Sequence, residues 1–253
     1  MPTIDSGGVP ISYVVEGSGL PVVLVHGFAS SVRGNWRGPG IIDALVAAGR
    51  RVVALDCRGH GASGKPHDPE AYSGTHMADD VIAVMDREGV ARADLMGYSM
   101  GGFIAASLLV RRPERFGRVI LAGVGDALVT GGRGRRGAEA IASALESETR
   151  GGITDARARA FRSFAEQQGN DMAALAAIQR STREFDRGKL AEVRNRVMVL
   201  IGEGDVLVGP ADQLAAAIPG ARLVKVPGDH LTAVVKPEFR EAIVGWLVGS
   251  GSE

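Results

Sequence analysis

This chain has a single cysteine, Cys57, so no disulfide can form within it, which agrees with a reducing compartment. Net charge is missing too. The 29 Lys and Arg balance 29 Asp and Glu, so no basic surface points to nucleic acid or an anionic membrane. No apolar run approaches the roughly 18 residues needed to cross a bilayer, and the opening MPTIDSGG lacks the basic segment and apolar stretch of a secretory leader. These absences lead to the expectation of a soluble, cytoplasmic protein with no nucleic-acid or membrane partner; they leave the oligomeric state open. Aromatics make up only 5% of residues, so a pocket is expected to be mainly aliphatic. The closing GSGSE reads as a flexible tail.

What is present is alternation. Short β-branched apolar runs (Val22 to Val25, Val52 to Leu55, Ala93 to Met96, Val119 to Leu121, Val197 to Ile201, Leu223 to Val226) are separated by helical patterns over Trp36 to Ala48, His76 to Glu88, Gly102 to Val110, Pro210 to Ala217 and Pro237 to Val248. This order predicts an α/β protein with a mostly parallel central sheet flanked by helices. Thr3 to Asp5 and Pro10 to Val15 predict a hairpin at one edge. From Asp126 to Lys189 the strand signal stops and helical patterns take over, broken by GGRGRRG, RGGIT and QGND. That segment is expected to be an all-helical cap, residues 126–189, inserted into a core domain of residues 1–125 and 190–253, and placed over the carboxyl edge of the sheet as a lid.

Gly97, Tyr98, Ser99, Met100 and Gly101 spell GxSxG between a strand and a helix. In a chain with 36 glycines the pattern can arise by chance; its strand-to-helix setting is what gives it meaning. A serine on such a sharp turn projects from the sheet, and the N–H that follows it opens a helix, where negative charge is stabilised. Ser99 is therefore the candidate nucleophile and the Met100 amide a candidate oxyanion donor. A second donor is expected in LVHGFAS, from the N–H of Phe28, with Ala29 next.

A serine hydroxyl needs a base, usually histidine oriented by a carboxylate. Of five histidines, His26, His60, His67 and His76 fall in turns or at a helix start. His230, in the loop GDHL after the last strand, would end at the same sheet edge as Ser99. A surface-loop histidine is the plain alternative. For the carboxylate, Asp205 in GEGD and Asp126 after the preceding strand both compete, with ordinary helix capping as the alternative role for Asp205. Asp229 is adjacent to His230, and neighbours in an extended loop point apart.

With these pieces together (HGF at 26–28, LDCRGHGASGKP at 55–66, GYSMGG at 97–102, GEGD at 202–205, GDHL at 229–232), the chain resembles the α/β-hydrolase fold superfamily over nearly its whole length. Within it, the similarity is to esterases, enol-lactonases and C–C bond hydrolases with small helical caps. The resemblance implies a Ser99, Asp205, His230 triad, because that chain order is the superfamily's. It also implies oxyanion donors at Phe28 and Met100, and neither metal nor organic cofactor. Serine at position 99, where dehalogenases and epoxide hydrolases carry aspartate, argues against both of those activities. Tyr98, where C–C hydrolases usually carry asparagine, weakens that branch.

The expected activity is hydrolysis of small, fairly apolar carboxylic esters or lactones through an acyl-enzyme, with Phe28, Tyr98, Phe161 and Leu175 at the substrate pocket. The alternatives are a receptor-like ligand-binding protein with a slow or idle triad, and C–C hydrolase or perhydrolase chemistry on the same triad. The turn residues Asp56, Cys57, Arg58 and His60 are expected to be structural. Arg133, Arg135 and Arg136 are expected to form a solvated hinge rather than an anion site.

Overall fold

The computed structural model describes residues 1–131, 135–182 and 185–249. Arg133 and most of the closing GSGSE therefore lie outside the described residues, as does the side chain of Arg135. Eight strands form one sheet in the order β1-β2-β4-β3-β5-β6-β7-β8. They are β1 Thr3–Ser6, β2 Val9–Glu16, β3 Leu20–Val25, β4 Arg50–Leu55, β5 Ala93–Tyr98, β6 Phe116–Ala122, β7 Arg196–Gly202 and β8 Arg222–Val226. β1 and β2 form the expected antiparallel edge, and β4, β3, β5, β6, β7 and β8 run parallel.

The continuous apolar runs follow from burial on both faces of the sheet. Val22 and Leu24 join one core with Met96, Ile120 and Leu200, whereas Val23 and Val25 join the other with Leu95, Leu121 and Val199. All four β3 residues Val22 to Val25 are fully buried, each contributing about 1.5–3 kcal/mol through its side chain. Helices α2 (His76–Arg87) and α3 (Met100–Arg111) cover one face. The other is covered by α1 (Ile41–Ala47) and α9 (Pro237–Val248).

One expected helix is divided. The pattern from Trp36 to Ala48 forms an irregular π turn at Arg33–Arg37 and then α1, separated by Pro39 and by Gly40 at φ 72°. Proline cannot supply the N–H a helix interior needs, and the left-handed glycine turns the chain.

Between β6 and β7 the described residues hold no strand. They form α4 (Ala127–Thr130), α5 (Arg135–Glu146), α6 (Ala156–Gln167) and α7 (Met172–Arg180), and α8 (Asp212–Ala217) follows β7. Asp155 and Asp171 cap α6 and α7, accepting from Ala158 N and Ala174 N at 2.8 and 3.0 Å, which satisfies N–H groups that a helix start leaves open. Arg180 ties α7 to α5 through Glu139 and Glu146. No helix of the described residues is long and apolar enough to cross a membrane.

Candidate active site

Because the strands from β4 to β8 run parallel, the loops leaving β3, β4, β5, β7 and β8 emerge at one edge, the carboxyl edge where open α/β sheets gather ligands. Ser99 follows β5 there at φ 54° and ψ −110°, a conformation few non-glycine residues adopt and one that functional sites often hold under strain. Its N–H is fixed to the Ala122 carbonyl at 2.8 Å. The flanking glycines are steric requirements: a Cβ on Gly97 would stand 2.0 Å from the Gly101 carbonyl oxygen, and one on Gly101 equally close to that of Val25. The turn can be this tight only without those side chains.

Three candidate side chains meet at this edge. His230 Nε2 lies 2.9 Å from Ser99 Oγ, and His230 Nδ1 lies 2.7 Å from Asp205 Oδ2. With Nδ1–H donating to the carboxylate, Nε2 presents a lone pair to the serine hydroxyl, the tautomer a general base needs. Asp205 is itself held, its Oδ1 accepting from Leu207 N at 3.2 Å and Val208 N at 3.3 Å. Asp126 points elsewhere: its Oδ1 accepts from Leu214 N at 2.9 Å, at the start of α8. Asp229 Oδ1 accepts from Leu231 N, Thr232 N and the Thr232 hydroxyl, which shapes the loop carrying His230.

Tyr98 is anchored away from solvent. Its hydroxyl donates to the His230 carbonyl, and its ring lies against His230 and Phe239, centroids 5.5 and 5.8 Å apart. Burial, with the charges of Asp205 and Asp229 added, pushes its pKa well up, so it stays a neutral donor that holds the histidine loop down.

The loop after β3 is fastened at each residue beside Phe28. Gly27 N–H donates to Asn35 Oδ1 at 2.8 Å, and Ala29 N–H donates to His60 Nε2 at 3.0 Å. Ala29, at φ 59°, has its carbonyl bonded by Asn170 Nδ2 at 2.8 Å, from the turn between α6 and α7. The Phe28 N–H has no partner among the described residues, and the Met100 N–H opens α3 without an intrahelical acceptor. Ala29, the second choice as oxyanion donor, is already committed to His60.

His26 and His60 act as struts. His26 Nε2 accepts from Cys57 N at 2.9 Å, which leaves Nδ1–H to donate to the Gly27 carbonyl at 2.8 Å. Burial holds the His26 pKa below its ordinary value against the opposing charge of Asp56, so the ring stays neutral and keeps the acceptor that Cys57 uses. Asp56 accepts from Val32 N and Ala62 N, and Arg58 pairs with Asp80. The turn residues are structural.

Two cavities meet at Ser99. The first, of about 400 Å³, is also lined by His230, Phe161, Phe164, Leu207 and Val234. The second, of about 330 Å³, is lined by Met100, Phe103, Leu128, Ile178 and Arg187. Phe28 and Phe161, in an edge-to-face pair with centroids 5.8 Å apart, line both.

One expectation needs correction here. Leu175 lines neither cavity; it is fully buried, on α7, which packs against α5. Phe28, Tyr98, Phe161 and Phe164 line the first cavity beside the aliphatic Ala160, Val206, Leu207, Leu231, Val234 and Val235. Arg136 is exposed and lines neither cavity.

Sequence reading missed Asn35 and Asn170. Nothing local marks them, since each acts on a carbonyl or amide brought near by folding. Asn35→Ala should leave the buried Gly27 N–H unsatisfied, costing about 1–3 kcal/mol and lowering kcat by loosening the Phe28 amide. Thermal unfolding and ester turnover measured together test this; an unchanged kcat would show that the loop keeps its shape without Asn35.

Residues 21–135 match the family described as alpha/beta hydrolase fold. A 2-hydroxymuconate semialdehyde hydrolase of Pseudomonas sp. (strain CF600) is 35% identical over 122 residues, 47% of this chain; the match spans 42% of that relative's length. A hydrolase structure from Pseudomonas aeruginosa PA01 superposes with TM-score 0.80 at 27% identity, covering 99% of this chain and 98% of that one. Est816, described as an N-acyl homoserine lactone degrading enzyme, superposes with TM-score 0.72 at 27% identity, covering 97% of this chain and 100% of that one.

Proposed function

We propose that this chain, whose residues 21–135 match the alpha/beta hydrolase fold family and which superposes on a hydrolase structure at 27% identity, is a serine hydrolase of small, fairly apolar carboxylic esters or lactones. The observation that carries the proposal is the relay from Ser99 through His230 to Asp205, with contacts of 2.9 and 2.7 Å, opening onto a mainly apolar cavity. Ser99 Oγ attacks the carbonyl while His230 Nε2 takes its proton. The Phe28 and Met100 amides receive the oxyanion, and His230 then protonates the departing oxygen. Water activated by the same histidine cleaves the acyl-serine. Est816's description as a lactone-degrading enzyme is in keeping with the lactone half of the reading.

Residues 126–189 act here as the cap. Arg157, Phe161, Phe164 and Gln168 of α6 and the residue after it line the cavity beside Ser99. Turnover of p-nitrophenyl esters of increasing chain length, measured beside lactones, tests the function; binding without turnover of any of them would replace it with a receptor-like role. Phe161→Ala, which removes a wall shared by both cavities, should raise the ratio of kcat/KM for long over short acyl chains by roughly 10-fold or more, on a scale of about 1–3 kcal/mol per methylene. An unchanged chain-length profile would remove the cap from substrate selection.

A further inference from the structure

Arg157 lies in the first turn of α6 and lines the cavity that holds Ser99 and His230. A guanidinium offers five N–H donors and no acceptor. Arg157 spends one of them, from Nη2 to the Leu207 carbonyl at 3.3 Å. Its Nε is buried without a partner, and no carboxylate of the described residues forms an ion pair with it.

The arginines beside it on α6 are used differently. Arg162 pairs with Glu166 and reaches the carbonyls of Ala144 and Ser147, and Arg159 Nε is bonded to the Ile153 carbonyl. Asp155 acts on Arg157 through its charge and Asp229 lines the same cavity, each with its Oδ1 engaged elsewhere. Asp155 Oδ1 caps α6 through Ala158 N, and Asp229 Oδ1 accepts from its own loop. Burial lowers the Arg157 pKa, with the Asp155 charge opposing, as expected for a cation that has lost water and gained little in exchange. A partly buried cation with unused donors is costly unless an anion completes it, and a guanidinium matches a carboxylate in a two-bond fork.

The reaction geometry says which part of a substrate would carry that anion. His230 must hand its proton to the departing oxygen, so the leaving group lies on the side of His230. His230 lines the first cavity and not the second, whereas Met100, an oxyanion donor, lines the second. The acyl portion then extends into the second cavity and the leaving portion into the first, toward Arg157.

We propose that the first cavity is a subsite for a carboxylate-bearing leaving group, held by Arg157, so that the favoured substrates are esters of hydroxy acids. The inference rests on the serine-hydrolase reading above. Ser99 Oγ bonds the acyl carbon, the ester C–O bond breaks, and the departing oxygen takes the proton held by His230. Water then cleaves the acyl-serine, so the products are a hydroxy-carboxylate and a carboxylic acid, with no oxidant or reductant involved.

The test compares kcat/KM for para-acetoxybenzoate with that for its neutral counterpart para-acetoxybenzamide. Arg157→Met should lower the ratio of charged to neutral substrate by about 10- to 100-fold, and Arg157→Lys should recover part of it. Should Arg157→Met not fold, Arg157→Gln carries the same expectation. An unchanged ratio would overturn the subsite. So would a loss confined to the acyl-side pair, the phenyl monoester of adipate against that of adipamate. Fluorophosphonate labelling of Ser99 separates the two readings. If the unaltered protein is neither labelled nor active on the neutral ester, both fall; if it is labelled and active with the ratio unmoved, only the carboxylate subsite falls.

Discussion

Ser99→Ala is expected to remove ester turnover almost completely, a loss on the order of 10^6 in kcat, while the protein stays folded. The size of the effect follows from the relay. Without Oγ there is no atom for His230 to activate, and what remains is the binding and electrostatic contribution of the proposed oxyanion donors, the Phe28 and Met100 amides. The fold should survive because the turn is held by its neighbours: Ser99 N to the Ala122 carbonyl, and Gly97 against Gly101. The substituted residue keeps the backbone angles, and alanine bears a positive φ no worse than serine does. A fluorophosphonate should label the unaltered protein at Ser99, and peptide mapping locates the adduct. Labelling at another residue, or an alanine variant that retains more than a few per cent of activity, would transfer the nucleophile elsewhere.

Asp205→Asn is expected to slow turnover by roughly 10^4. The amide keeps the shape of the carboxylate and can still accept from Leu207 and Val208. It removes the charge that stabilises the imidazolium, and an amide N–H facing Nδ1 favours the tautomer with its proton on Nε2, which cannot accept from Ser99. Asp126→Asn should change kcat much less. Its Oδ1 accepts from Leu214 N at 2.9 Å, and asparagine can accept there as well. Measuring the two variants side by side decides the assignment; the reverse ranking would move the acid to the loop after β6.

Much of the fold was legible because its periodicity is local. Strand runs such as Val22 to Val25 and Val197 to Ile201 lie within the observed strands, and α9 occupies the residues its pattern predicts. The α1 boundary was misread because Pro39 and Gly40 interrupt an apolar spacing that otherwise continues through Trp36. The nucleophile turn was legible for a steric reason: a backbone that returns on itself this closely leaves no room for side chains at Gly97 and Gly101. Choosing His230 among five histidines required only that the loop after the last strand open at the same edge as the loop after β5.

The choices that depend on direction were not local. Asp205 and Asp126 both follow parallel strands, and their sequence surroundings do not say which turns toward His230 and which caps the start of α8. Phe161 and Leu175 share an apolar character at helical spacing, yet α6 presents Phe161 to the cavities while Leu175 on α7 is fully buried, because the angle between helices is set by how their side chains interlock. Asn35, Asn170 and Arg157 carry no motif; their roles come from a carbonyl, an amide or an empty space supplied by residues distant in the chain. The sequence by itself determined the alternation of strands and helices, the glycine-bounded serine and the edge at which the reactive groups collect, since each rests on sterics and periodicity within a few residues. The chain order of the resemblance implied Asp205 as the acid; only the tertiary structure decided which helix faces the pocket and which cation there lacks a carboxylate partner, because those outcomes depend on the packing of elements far apart in the chain.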